Sequence, residues 1–157
     1  ENQMASVSVE KTVDASLSDL WASWDDFANI SVFNPGVQKS FLINDSRDTG
    51  LGAERRCDLA DGKNYLLERI TGYIPEERLE IDIYEVSIPI KDASAVLEFK
   101  AIGPKRSKVT MTMTFTPKMG FVGRLMLPMM RAQLAKNVDE LLSGNKKHVE
   151  DGVLAAA

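Results

Sequence analysis

A chain of 157 residues, 44% hydrophobic and 27% charged, is long enough for one domain with a sizeable core, and it reads as one domain over residues 1–157. Its formal net charge is -4, with acids and bases interspersed and no basic patch standing out, which argues against a nucleic-acid partner. No apolar run approaches the roughly 18–20 residues that span a bilayer, so no transmembrane segment is expected.

Cys57 is the only cysteine, which rules out an intrachain disulfide. His148, the only histidine, stands in the charged string "NKKHVED", where a solvated position is expected. Neither a thiol–imidazole pair nor a structural zinc site has the residues it needs, so no metal and no cofactor are expected. The chain starts at Glu1 rather than methionine, as it would after loss of a leader or tag. The cytoplasm is the expected compartment, with export left open.

Val7, Val9 and Val13 alternate with polar residues as a half-buried strand does. Ser16 can then cap a helix whose apolar positions Leu17, Leu20, Trp21, Trp24 and Phe27 recur at helical spacing. These are most simply its packing face. A second short helical piece, roughly 28–33, ends at the turn Asn34-Pro35-Gly36. From there to Pro117 the period is two. The predicted strands are "VQKSFLIND", "GAERRCDLA", "NYLLERITGYI", "RLEIDIYEVSI", "SAVLEFKAI" and "SKVTMTMTFTP". Turn-forming separators stand between them, among them Asp61-Gly62, Pro75-Glu76-Glu77 and Lys91-Asp92. In the last strand Val109, Met111, Met113 and Phe115 share one face and four threonines the other, so one side of the sheet is dry and one wet. Helical spacing returns over roughly 120–149. Phe121, Leu125, Met129, Leu134, Val138, Leu141 and Leu142 form the predicted apolar stripe, with Arg131, Lys136, Asp139 and Glu140 opposite. Pro128 cannot donate to the helical ladder, so a bend or restart is expected there.

This order predicts an α+β fold: a curved antiparallel sheet of about seven strands wrapped on one long C-terminal helix, with two short helices after the first strand. A sheet closed by a single helix tends to leave a space between them. The segments "VEKTVDASLSDLWASWDDFANISVFNP", "GAERRC", "LLERITGYIPEERLEIDIYE", "SKVTMTMTFTPKM" and "NVDELLSGNKKHVE" together resemble the START-like superfamily. That is the helix-grip fold shared by the birch-pollen allergens and the polyketide cyclase/dehydrase and lipid-transport proteins. The resemblance covers nearly the whole chain and implies a hydrophobic cavity. It does not fix a function, because the superfamily includes binders, cyclases, hydroxylase subunits and chaperone cofactors.

Six of the seven methionines lie between Met111 and Met130. Methionine conforms to irregular apolar shapes, so the cluster suits either a plain core or the lining of a cavity for varied ligands. The expected lining takes Leu66, Glu68, Ile81, Ile83, Leu97 and Phe99 from the middle strands. Met111, Met113 and Phe115 come from the last strand, and Leu125, Met126, Met129 and Met130 from the helix around Pro128, the expected gate. Glu68 shares a face with Leu66 and Ile70, and an inward carboxylate needs a partner. Arg55, in line with Cys57 and Leu59 on the adjacent strand, is the candidate; a one-residue register difference would turn both outward. Glu85 and Ser87 are weaker inward candidates, while Tyr65 and Tyr84 fall on the outer face.

Three functions follow as expectations. The first is binding of a hydrophobic small molecule such as a lipid, isoprenoid or aromatic polyketide. The second is aromatase/cyclase or dehydratase chemistry, for which Glu68 with Arg55 is the only acid–base pair to nominate. The third is a protein-interaction module of co-chaperone type.

Overall fold

Alternation of apolar and polar side chains produces seven strands, and the two stretches of helical spacing produce helices at either end of the chain. The computed structural model describes residues 4–118 and 120–157. The chain runs β1 (Ala5–Val13), α1 (Leu17–Asp25), a 3-10 helix (Phe27–Val32), β2 (Val37–Leu42), β3 (Glu54–Leu59) and β4 (Tyr65–Ile74). It continues through β5 (Arg78–Val86), β6 (Ile90–Gly103) and β7 (Arg106–Pro117) to α2 (Gly120–Ala156). The strands form one sheet in the order β1-β7-β6-β5-β4-β3-β2, with every pair antiparallel. This is the expected α+β helix-grip architecture.

Ser16 caps α1, its Oγ accepting from the Asp19 N–H at 3.1 Å. The sheet curves through bulges, two of them between β4 and β5. At the first, Tyr84 is the extra residue, so the alternation of β5 inverts beyond it. At the second, Thr71 is extra, which turns Tyr73 inward. Gly72 leaves room beside it for the Glu80 side chain, which would have to shift for a Cβ placed 2.8 Å from it. Lys91-Asp92, predicted as a turn, lies instead inside β6 at a further bulge, with Asp92 at φ +51°. The chain reverses earlier, around Ser87–Pro89, where the Ile90 N–H donates to Ile88 O at 2.8 Å.

The main core packs Leu20, Trp21 and Trp24 of α1 and Phe27 against Leu79, Leu97, Phe99 and Val109 of the sheet and Val138, Leu141 and Leu142 of α2. A smaller cluster of Ala5, Ile83, Ala93, Phe115 and Leu127 lies under the first part of α2. The helix neither restarts nor ends at Pro128 and runs past Val149 to Ala156. Its last part is fixed by polar bonds. Trp24 Nε1 donates to Asn145 Oδ1 at 3.0 Å, and Asn145 Nδ2 donates to Ser23 Oγ at 2.9 Å. Lys146 Nζ donates to Thr12 O at 2.8 Å, while Glu150 Oε2 accepts from the Asp14 N–H at 2.8 Å.

Candidate functional site

The inner face of β3 carries Arg55 and Cys57, with the buried Ala53 just before the strand, and that of β4 carries Leu66, Glu68 and Ile70; Arg55 stands directly opposite Glu68 in the register. Both are almost completely buried, at 3% and 6% exposure. A charge this dry must be paired. Arg55 Nε donates to Glu68 Oε1 at 2.7 Å and Nη1 donates to Phe27 O at 2.8 Å, while the guanidinium lies 3.9 Å from the Phe27 ring centre. Cys57 Sγ donates to the same Glu68 oxygen at 3.4 Å. Burial, with the adjacent Glu68 carboxylate, pushes the thiol well above its ordinary range, which makes it a poor nucleophile.

Above this polar floor the inner-face residues divide into two groups. Ile81, Leu97, Phe99 and Met111 belong to the main core, Phe99 meeting Trp21 edge-on at 5.2 Å. Ile83 and Phe115 lie in the smaller cluster with Leu127, joined by the half-buried Leu66, Met113, Met130 and Leu134. Leu66, Met113 and Leu134 touch both clusters and mark the seam between them.

The helix presents a different face from the one its methionines suggested. Leu125, Met126 and Met129, predicted to line the interior, are 67%, 39% and 61% exposed, whereas Leu127 is buried. The reason is phase. Val149, Asn145, Leu142 and Val138 face the core, and stepping back from Val138 by 3.6 residues per turn reaches Leu134 and, two turns further, Leu127, with the half-buried Met130 at the edge of that face. That extrapolation was available from the sequence and would have found Leu127. Met119 lies outside the described residues. Glu85 and Ser87 are corrected too: the bulge at Tyr84 turns them outward, where Glu85 accepts from the Tyr65 hydroxyl at 2.7 Å and Ser87 Oγ accepts from the Tyr65 N–H at 2.8 Å. Val86 takes the inward place beside the smaller cluster. Tyr65 and Tyr84 face outward; burial and a bond to Glu54 push the Tyr84 hydroxyl up to about 12.

Two grooves lie away from the sheet, where α1 and the 3-10 helix meet the end of α2. One, of about 460 Å³, is lined by residues including Asp19, Asp26, Phe33 and His148. The other, about 410 Å³, includes Pro35, Gly144 and Lys147. His148 is exposed, its ring 5.7 Å from that of Phe33. Among the described residues no group of three acidic, histidine or cysteine side chains could hold a metal ion, and no helix is long and apolar enough to cross a membrane.

The family described as polyketide cyclase / dehydrase and lipid transport matches residues 4–150. The chain belongs to that family. No curated protein matches it. Among solved structures, the Zhui aromatase/cyclase from Streptomyces sp. R1128 superposes with a TM-score of 0.84 at 17% identity, over 99% of each chain. A START superfamily protein from Mycobacterium smegmatis gives 0.76 at 16% identity, over 96% of this chain and 99% of that one. Norcoclaurine synthase from Thalictrum flavum gives 0.74 at 15% identity, over 97% and 98%. Identities this low establish the fold and leave the chemistry to the residues themselves.

Proposed function

We propose that this member of the family binds a hydrophobic small molecule (a lipid, an isoprenoid or an aromatic polyketide) between the sheet and the first part of α2. The observation that carries this reading is the incomplete burial of Leu66 and Met113. Both point inward, yet they stay half-buried while their inward neighbours Ile70, Met111 and Phe115 are buried. Interiors close-pack to crystal-like density, so partly bare apolar side chains at an internal seam are suited to a guest. Met113 and Met130 at that seam can adjust to its shape. Arg55 and Glu68 enter this reading as a polar floor and an anchor for the 3-10 helix, not as acid and base, because they bond each other and Phe27 O.

The test is native mass spectrometry of protein purified from its own host, followed by denaturing extraction and a thermal-shift screen of lipids and aromatics. A true ligand at a hundredfold excess over its Kd should raise Tm by about 5–11 °C. Met113→Trp should fill the seam and remove that shift while the protein stays folded. An empty protein with no shift across the screen would sink the reading.

A further inference from the structure

The first part of α2 is apolar on two opposite sides. At 100° per residue, Gly123, Leu127, Met130 and Leu134 fall within an arc of about 60° that faces the sheet. Phe121, Val122, Leu125, Met126 and Met129 fall within an arc of about 140° on the other side. Those five side chains are 39–68% exposed. Single exposed apolar residues are ordinary, but here they are stacked at i, i+4 and i+8 on one helix face. A helix that is apolar all round is normally covered all round.

The charge on this segment indicates what covers it. No aspartate or glutamate occurs between Glu98 and Asp139. Residues 118–138 therefore carry Lys118, Arg124, Arg131 and Lys136 with no acid, in a chain whose net charge is -4. Arg124 and Arg131, seven residues apart, stand in the gap between the two apolar arcs, about 60–80° from the edge of the exposed one. Among the described residues none of these four cations is in an ion pair, whereas Lys11, Arg55, Arg56, Arg69 and Arg78 all are. Long apolar side chains beside unpaired arginines are the signature of a helix lying in a lipid–water interface. A second copy fits less well, because packing two such faces together would bring like charges together.

We propose that this face of α2 docks on an anionic phospholipid surface, with Phe121, Leu125 and Met129 entering the headgroup–acyl boundary and Arg124 and Arg131 meeting lipid phosphates. The docking face points away from the sheet, so it does not depend on whether the interior holds a ligand.

Vesicle flotation of the full chain tests it. The protein should float with phosphatidylcholine vesicles that contain phosphatidylglycerol and not with phosphatidylcholine alone, and added salt should weaken the association. Arg124→Ser/Arg131→Ser should lower partitioning about thirtyfold, at the usual worth of two interfacial cations. Leu125→Ser/Met129→Ser should abolish it. Both variants should keep the parental Tm, since the altered side chains are exposed and unpaired. No flotation with anionic vesicles, or flotation that neither variant weakens, would overturn the proposal. So would light scattering that finds a dimer which Leu125→Ser/Met129→Ser dissociates, because a second copy would then occupy the face.

Discussion

Replacing Glu68 with leucine leaves the Arg55 guanidinium in a site 3% exposed, with only Phe27 O and the Phe27 ring to face it. Removing one partner of a buried pair costs about 3–5 kcal/mol, because the remaining charge stays dry and unpaired. For a chain of this length that is a fall in Tm of about 6–20 °C, a large part of the stability of a typical domain. Arg55→Met/Glu68→Leu removes both charges and leaves Phe27 O as the main unsatisfied group, which costs about 1–3 kcal/mol. The double variant should therefore be more stable than Glu68→Leu alone, an unusual direction for a second core substitution. Urea unfolding followed by fluorescence of the buried Trp21 and Trp24 measures all three proteins. Additive losses, with the double variant the least stable, would refute the reasoning that the pair is a coupled anchor.

Two glycines of α2 should respond to alanine with opposite signs. At Gly144 a Cβ would stand 2.1 Å from Phe33 O, a backbone atom that no rotamer change can move, so Gly144→Ala should cost at least about 1–3 kcal/mol. At Gly152 nothing lies within 4 Å, and Gly152→Ala should raise stability by about 0.5–1 kcal/mol through helix propensity; thermal unfolding of the two variants checks both signs. Burial alone would raise the Glu150 pKa, but the Asp14 N–H and the Lys146 ammonium outweigh it and hold the carboxyl below its ordinary 4.5. A depressed folded pKa means the stabilisation is intact above the unfolded value and disappears as pH falls through the folded one. The Tm difference between wild type and Glu150→Gln should accordingly be present at pH 6 and shrink on titration below about pH 4.

Element order and the inner face of β3 and β4 were legible because period-two patterns fix a face as long as the count is unbroken. The alternation that put Arg55 and Glu68 inward is local and precedes the bulge at Tyr84. Glu85 and Ser87 lie past that bulge, and an extra residue leaves no compositional mark in "DIYEVS". Asp92 misled differently: an aspartate at positive φ serves a bulge as readily as a turn. On α2 the error was one of weight. The methionines around Pro128 drew the predicted stripe onto Leu125 and Met129, although the phase set by Val138, Leu142 and Val149 continues to Leu127.

That phase difference separates two halves of one helix by how they are held. From Val138 onward α2 is fixed by Leu141, Leu142 and Val149 in the core and by Asn145, Lys146 and Glu150 in hydrogen bonds to α1 or the end of β1. Among the described residues no side-chain hydrogen bond joins residues 120–137 to the sheet, and Leu127, Met130 and Leu134 hold them by apolar contact alone. Pro128 also removes one rung of the helical ladder there. Local opening costs least where directional bonds and buried contacts are fewest. The segment that closes the half-buried seam at Leu66 and Met113 is therefore the less firmly attached part of α2. It also bears the exposed apolar face and its arginines.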